Sequence, residues 1–144
     1  METLTSLRIQ ADRERIFRLA AAVEDWPRIL PHYRWVRVLD ETNGGRVVEM
    51  AARRGAIPVR WIAEQRVDPR QAMISFQHVG GLTRGMLAVW TFSPKADGTV
   101  VVRIWHQFCP GWPLVPDWLI HLVVGRFFVD HIAGRTLRRI GDLA

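Results

Sequence analysis

Turn signals between residues 33 and 108 constrain the fold more than any other feature of this sequence. Asn43-Gly44 and Asp97-Gly98 each stand between two runs rich in β-branched and aromatic residues, and such dipeptides favour the tight turns of β-hairpins. Gly55 and the pair Gly80-Gly81 divide the stretch at further points. Because strands joined by hairpins pair antiparallel, this part of the chain predicts a meandering antiparallel sheet.

About seven strands follow from these boundaries. They are predicted over residues 4–10, 33–40, 46–53, 57–67, 72–78, 84–92 and 100–108. Residues 109–116 contain three prolines and a glycine, so they are expected to form a loop.

Helical patterns flank the strands. Asp12 is placed to cap a first helix with apolar residues at helical spacing. A second short helix is predicted over residues 25–30, with Pro27 in its first turn and Pro31 ending it. A helix over residues 116–140 would be about 40 Å long.

This order of elements predicts one α+β domain over residues 1–144. A sheet of about seven strands curls to cover its apolar face, and the long C-terminal helix is the element left to fill it. A single helix leaves space inside such a curved sheet. We therefore expect an interior cavity for a small apolar molecule.

Alternation along the strands sorts residues between the interior and the solvent. It places His78 and His106 on the apolar side, where His106 is a candidate for proton transfer. In residues 57–67 it turns Trp61 inward and Arg66 outward. Candidate ligand-binding residues on the strands and the long helix are Trp61, Phe76, Met86, Trp90, Ile104, Leu122 and Phe127.

Composition narrows the class of protein. A single cysteine, Cys109, excludes a disulfide framework and a thiolate metal cluster. The first residues, METLTSLRIQ, lack the pattern of a signal peptide, and the longest apolar stretch contains Asp117 and Arg126, which argues against a membrane-spanning helix. We expect a cytoplasmic protein.

The basic residues indicate a dispersed, solvated surface. The net charge is +6, and Lys95 is the only lysine among 20 basic residues. Clusters occur only at Arg53-Arg54 and at Arg135, Arg138 and Arg139. The second cluster lies in the last turns of the predicted helix, where cations interact favourably with the helix dipole.

The segment from Asp25 to Tyr33, DWPRILPHY, resembles a signature of the polyketide cyclase/dehydrase family, which belongs to the START-like, helix-grip superfamily. Three further features resemble that family. They are Arg60-Trp61 followed by Glu64 to Pro69, Trp90-x-Phe92-x-Pro94 followed by Asp97 to Val100, and the long closing helix. The resemblance covers nearly the whole chain and implies the helix-grip fold.

The resemblance also implies site residues. Trp26 and Tyr33 match the spacing of a tryptophan and a tyrosine that border the cavity in aromatase/cyclases of the family. Arg66 is the best match to a cavity arginine that precedes an Asp-Pro turn. Its inward position would require a β-bulge, because one extra residue reverses the faces of a strand. Tyr33, Arg66 and His106 are therefore the expected catalytic residues.

Three functions compete. The first is an aromatase/cyclase that performs aldol ring closure and dehydration on a poly-β-ketone held by an acyl-carrier protein. The second is a non-catalytic quinone- or lipid-binding protein, because Trp26 to Pro31 equally resembles coenzyme Q-binding proteins. The third is a ribosome-associated regulator of the RatA type, although no stripe of interleaved basic and aromatic residues indicates an RNA surface.

The sequence lacks the motifs of several other catalytic and binding sites. The sequence contains no Gly-x-Ser-x-Gly elbow, no His-Glu-x-x-His and no glycine-rich phosphate loop. We expect no metal, no cofactor and no DNA partner, but an apolar small molecule as ligand. The oligomeric state is left open, a homodimer included.

Overall fold

The computed structural model describes residues 1–144 and shows seven strands in one antiparallel sheet, in the order β1-β7-β6-β5-β4-β3-β2. The strands are β1 (Glu2–Ile9), β2 (Tyr33–Thr42), β3 (Gly45–Arg54), β4 (Ile57–Asp68), β5 (Met73–Gly81), β6 (Leu87–Pro94) and β7 (Val100–Gln107). The helices are α1 (Arg13–Ala21), a 3₁₀ turn (Val23–Asp25), α2 (Trp26–Ile29), α3 (Asp117–Ile120), a π-helical segment (His121–Ala133) and α4 (Gly134–Leu143). The predicted helix-grip architecture is confirmed.

Hairpin turns determine the order of the sheet. Every strand from β2 to β6 pairs with the next strand along the chain, while β1 joins the far edge beside β7. The turns before β3 and β7 contain Gly44 at φ +81° and Gly98 at φ +85°, backbone conformations that glycine adopts readily. The Asn-Gly and Asp-Gly signals therefore mark turns as predicted.

Two short helices close one end of the curved sheet. The Asp12 carboxylate accepts a hydrogen bond from the Arg15 backbone N–H at 3.4 Å, so Asp12 is the predicted N-cap of α1. Pro27 lies in the first turn of α2. The Trp26 indole donates to the Leu19 carbonyl at 2.9 Å and ties the two helices together.

The last three helical segments run continuously from Asp117 to Leu143 and pack on the concave face of the sheet. The sequence predicts this long helix, but not its central π-helical segment of 13 residues. In a π-helix the hydrogen bonds run between residues five apart, so each turn contains more residues than a turn of an α-helix. None of the helices combines the length and the hydropathy that crossing a bilayer requires.

The connection between β5 and β6 departs from the predicted boundary. Residues 82–86 form a turn, and β6 begins at Leu87 rather than at Arg84. The Met86 backbone N–H bonds to the Thr83 carbonyl, and the Gly85 N–H bonds to the His78 carbonyl. These local hydrogen bonds replace strand pairing.

Gly81 is the last residue of β5. Its backbone conformation and the space around its Cα both favour glycine over any residue with a side chain. Its φ is +93°, and a Cβ there would lie 2.8 Å from the Arg60 carbonyl oxygen. Gly85 has a similar φ of +96° but has no atom within 4 Å of the same position. An alanine at Gly85 would therefore meet backbone strain alone, whereas an alanine at Gly81 would meet both backbone strain and steric overlap.

We predict that Gly85→Ala lowers the free energy of unfolding by about 1–2 kcal/mol, the usual cost of this backbone region. Gly81→Ala should cost at least about 1 kcal/mol more, because the Arg60 carbonyl must also move. Urea denaturation of the two variants measures the difference. Equal losses of unfolding free energy in the two variants would show that the 2.8 Å approach of the new Cβ to the Arg60 carbonyl oxygen does not affect stability.

Candidate functional site

A cavity of about 40 Å³ lies between the concave face of the sheet and the C-terminal helix. Its walls are mostly apolar and aromatic, with two histidines, one tyrosine and one threonine as the polar groups. The lining residues are Trp26, Tyr33, Met50, Trp61, Phe76, His78, Ala88, Trp90, His106, Phe128, Ile132, Ala133 and Thr136.

Aromatic contacts hold the wall nearest to the short helices. The rings of Trp26 and Tyr33 meet edge to face with their centroids 5.1 Å apart. Trp26 also approaches Phe76 and Trp90 at 6.2 and 6.3 Å. Such pairs are worth about 0.5–1.5 kcal/mol each beyond the burial of their area. The structure thus brings Trp26 and Tyr33 to the same wall.

The adjoining wall contains Trp61 on β4 and His78 on β5, whose rings stack with centroids 6.0 Å apart. Phe128 packs edge to face on both rings, at 4.9 and 5.6 Å. Together with His106 on β7, these strand residues face the cavity. Of the predicted lining, the structure places Trp26, Trp61, Phe76 and Trp90 at the cavity.

Four predicted lining residues lie elsewhere. Met86 and Ile104 are fully buried in the core but do not border the cavity. Leu122 is 43% exposed, and Phe127 lies under the Arg54 guanidinium at 4.9 Å from its ring centroid. Neither of these two helical residues lines the cavity, and Phe128 of the π-helical segment lines it instead.

Arg66 is not in the cavity. Its side chain is 62% exposed and pairs with Glu64 on the outer face of β4. The irregularity between β4 and β5 leaves Val79 of β5 without a partner, so β4 keeps its alternation. The outward position of Arg66 inferred from alternation is correct, and the position implied by the family resemblance is wrong.

Gln65 occupies the inward position beside Arg66, and it is fully buried. Its side-chain amide donates to the Ala21 carbonyl at 2.9 Å and accepts from the Arg46 Nε at 2.8 Å. Arg46 also pairs with Glu24. These contacts satisfy Gln65 and tie α1 to the sheet, so Gln65 has a structural role.

The two cavity histidines are neutral near pH 7. Burial lowers the pKa of His106 to about 4. Burial, and secondarily the nearby His106, lowers the pKa of His78 to about 3. His78 Nδ1 lies 2.8 Å from the Thr83 hydroxyl, whereas His106 Nδ1 is buried without a hydrogen-bond partner. An unpaired buried nitrogen is costly and points to a missing partner.

Tyr33 is also neutral, because burial raises the pKa of its phenol above the ordinary range, and the Thr136 hydroxyl opposes this only in part. Thr136 lies 2.9 Å from His32 Nε2 and donates to the Ile132 carbonyl at 2.7 Å. The polar groups of the site therefore carry no charge. They can exchange protons or hydrogen bonds with a ligand oxygen in an apolar setting.

Sequence reasoning missed Met50, Ala88, Phe128, Ile132, Ala133 and Thr136 as lining residues. One signal for Thr136 was available. It stands midway between Ile132 and Ile140 at helical spacing, so it is a polar residue within the buried stripe of the last helix. Phe128 carries the same signal, because it stands four residues from both Val124 and Ile132.

The histidines should make stability depend on pH. Because their pKa values in the folded protein lie below the unfolded value of 6.5, unfolding takes up protons, and stability falls as the pH drops from about 6.5 toward 4. Between pH 6.5 and 5, each histidine should account for up to about 2 kcal/mol.

Denaturation by urea at several pH values measures this effect. His106→Phe should remove its share of the pH dependence, whereas His121→Gln, at an exposed position, should leave the dependence unchanged. A wild-type protein with constant stability between pH 6.5 and 5 would contradict the neutral buried state of the histidines.

Comparison with known proteins matches the chain to a protein family. Residues 9–135 match the family described as polyketide cyclase / dehydrase and lipid transport. The chain is 33% identical over 107 residues to the actinorhodin polyketide synthase bifunctional cyclase/dehydratase of Streptomyces coelicolor. This alignment covers 72% of the chain and 33% of that relative, so the chain spans about a third of its length.

Solved structures share the fold. The Zhui aromatase/cyclase from Streptomyces sp. R1128 superposes with a TM-score of 0.75 at 17% identity, covering 99% of this chain and 92% of that one. A START superfamily protein from Mycobacterium smegmatis gives a TM-score of 0.78 at 16% identity, covering 99% of both chains. At these identities the likeness concerns the fold alone.

Proposed function

Since this chain belongs to the polyketide cyclase/dehydrase and lipid transport family, we propose that it is an aromatase/cyclase for a poly-β-ketone. One observation carries the proposal. The cavity brings Tyr33, His78 and His106 together inside walls that are otherwise mostly apolar and aromatic. An apolar wall accommodates a carbon chain, and a few convergent polar groups orient its ketone oxygens.

Two polar groups of the cavity, His106 and Tyr33, can carry out the proton transfers of an aldol ring closure. A base removes a proton from a methylene carbon between two ketones, and the resulting enolate carbon bonds to a second carbonyl carbon. That carbonyl oxygen becomes an alkoxide, which takes up a proton, and loss of water then forms a double bond. Neutral His106 has the free ring nitrogen to accept the first proton, and the Tyr33 phenol donates to the alkoxide.

Inside the cavity, a negative charge that develops on the substrate is stabilised by hydrogen bonds from neutral side chains. No arginine or lysine lies among its lining residues, and Arg66 faces the solvent. Hydrogen bonds gain strength in a site that excludes water. Tyr33 is therefore the group on which an enolate or alkoxide oxygen depends most.

The cavity must enlarge to hold such a substrate. A volume of about 40 Å³ accommodates only a few water molecules, whereas pockets for small ligands measure about 300–1,000 Å³. Phe128, Ile132 and Ala133 of the π-helical segment form one wall. Because strand pairing holds the sheet side of the cavity, we infer that substrate entry displaces this helical segment from the sheet.

The source of the substrate is part of the proposal. We propose that the poly-β-ketone arrives on an acyl-carrier protein in the cytoplasm. The net charge of +6 supports an acidic partner, and the similar region of the Streptomyces coelicolor relative belongs to a polyketide synthase protein.

A second candidate function is the binding of a quinone or lipid without chemistry. The observation that favours it is the same neutral cavity. His106 has a pKa of about 4, far below the pH at which a general base is most efficient. A carrier needs only the apolar walls and one hydrogen-bond donor such as Tyr33.

Substitution of Tyr33 separates these functions. We predict that Tyr33→Phe lowers the rate of cyclised product formation by about 10²–10⁴-fold, the usual contribution of a proton-transfer group, and leaves the fold intact. Arg66→Ala, a change on the outer surface, should keep the wild-type rate. Chromatography with mass detection of products from a carrier-bound poly-β-ketone measures both rates.

Two results would contradict the enzymatic assignment. One is full activity of Tyr33→Phe, which would remove Tyr33 from the chemistry. The other is tight, stoichiometric binding of an apolar molecule with no product from any carrier-bound substrate, which is the behaviour of a carrier.

A further inference from the structure

A second concave site, here called the arginine cleft, lies outside the cavity. It has a volume of about 850 Å³ and is open to solvent. Its charged and polar side chains are Arg53, Arg135, Arg138, Arg139, Asp142 and His32. We propose that the arginine cleft binds the phosphate group of a soluble phosphate monoester, a site separate from the proposed catalytic groups.

The first argument is the excess of uncompensated positive charge. Four arginines line the cleft, together with a single carboxylate residue, Asp142. None of the four arginines lies within 4.0 Å of a carboxylate, although Arg8, Arg28, Arg37, Arg46, Arg60 and Arg66 all form ion pairs elsewhere. Converging unpaired cations repel one another, so an anion between them is stabilising.

The second argument concerns the helix dipole, which could explain cations near the end of α4. The Leu143 carbonyl at that end already accepts a hydrogen bond from Arg15 at 2.8 Å. Arg53 belongs to β3 rather than to the helix, yet it lines the same cleft. The dipole therefore does not account for the convergence of cations from two elements.

The third argument is the buried His32, which lines the cleft and is only 3% exposed. Its Nε2 lies 2.9 Å from the Thr136 hydroxyl, and its Nδ1 is buried without a hydrogen-bond partner. Burial lowers the pKa of His32 to about 4, and the charges of Arg135 and Arg138 act in the same direction. The positive field of the cleft therefore reaches this ring despite Asp142. Because the Thr136 hydroxyl donates to the Ile132 carbonyl, the neutral His32 ring donates from Nε2, and its Nδ1 needs a donor such as a hydroxyl group of the bound monoester.

The chemistry of the side chains selects the ligand. Guanidinium groups present paired donors that match the oxygens of a phosphate. A phosphate monoester carries about two negative charges at pH 7, more than a carboxylate, and so gains most from several cations. Thr136 lines the cavity while its partner His32 lines the cleft, so the two sites share a wall.

Titration with inorganic phosphate and with glycerol 3-phosphate tests the proposal. The readout is the NMR signal of each arginine Nε–H, recorded at constant ionic strength. We expect saturable shifts of the Arg53, Arg135, Arg138 and Arg139 signals. Arg53→Gln/Arg135→Gln should weaken binding about tenfold or more, because it removes two of the four cations that line the cleft.

A control with the same change of net charge is Arg70→Gln/Arg103→Gln, since neither residue lines the cleft. It should bind within about twofold of wild type. Absence of saturable shifts, or equal weakening in both double variants, would overturn the proposal by showing only diffuse surface charge. Binding to phosphatidic acid vesicles with no response to either soluble phosphate would also overturn it, because the ligand would then be a membrane.

Discussion

The packing of the C-terminal helix against the concave face of the sheet is the interaction on which the rest of the structure depends. Seven strands joined by hairpins provide one apolar face, and no other long element is available to cover it. Ile120, Val124, Phe128, Val129, Ile132, Leu137 and Ile140 are the apolar helical residues of the buried core. The same contact sets the volume of the cavity, so stability and ligand capacity are linked through one helix.

That link explains how a tightly packed interior could belong to a ligand-binding protein. Because the cavity measures only about 40 Å³, the interior of this structure is packed almost as densely as a core without a cavity. A ligand must replace helix–sheet contacts with its own. Ordinary α-helical hydrogen bonding is absent over the 13 residues that would have to move, and long π-helical stretches are rare.

Much of the architecture could be predicted because it depends on local chemistry. Asn-Gly and Asp-Gly determine turns through backbone conformation, and Asp12 caps a helix through its own side chain. Alternation in β4 placed Trp61 inside and Arg66 outside, whereas the family resemblance alone placed Arg66 in the cavity. The physical pattern was the better guide, because β4 contains no extra residue that could reverse its faces.

The errors have an equally physical origin. Leu122 and Phe127 are apolar helical residues predicted to contact the ligand, but the buried face of the segment is formed by Val124, Phe128 and Ile132, which stand four residues apart. Burial of Met86 and Ile104 was foreseen, but whether a core residue borders a small cavity depends on the packing of all its neighbours. The sequence shows the arginines of α4 only as cations near a helix end, and the fold brings them together with Arg53 of β3.

The central claim is that an apolar ligand enters between the helix and the sheet, and the binding of a neutral fluorescent probe such as N-phenyl-1-naphthylamine tests it most directly. Phe128→Leu enlarges the cavity, while Phe127→Leu makes the same change on the side of the helix that contacts Arg54. The account predicts saturable binding that quenches tryptophan emission, tighter binding by Phe128→Leu, and wild-type binding by Phe127→Leu. Absence of saturable binding, or the same effect from both substitutions, would contradict it.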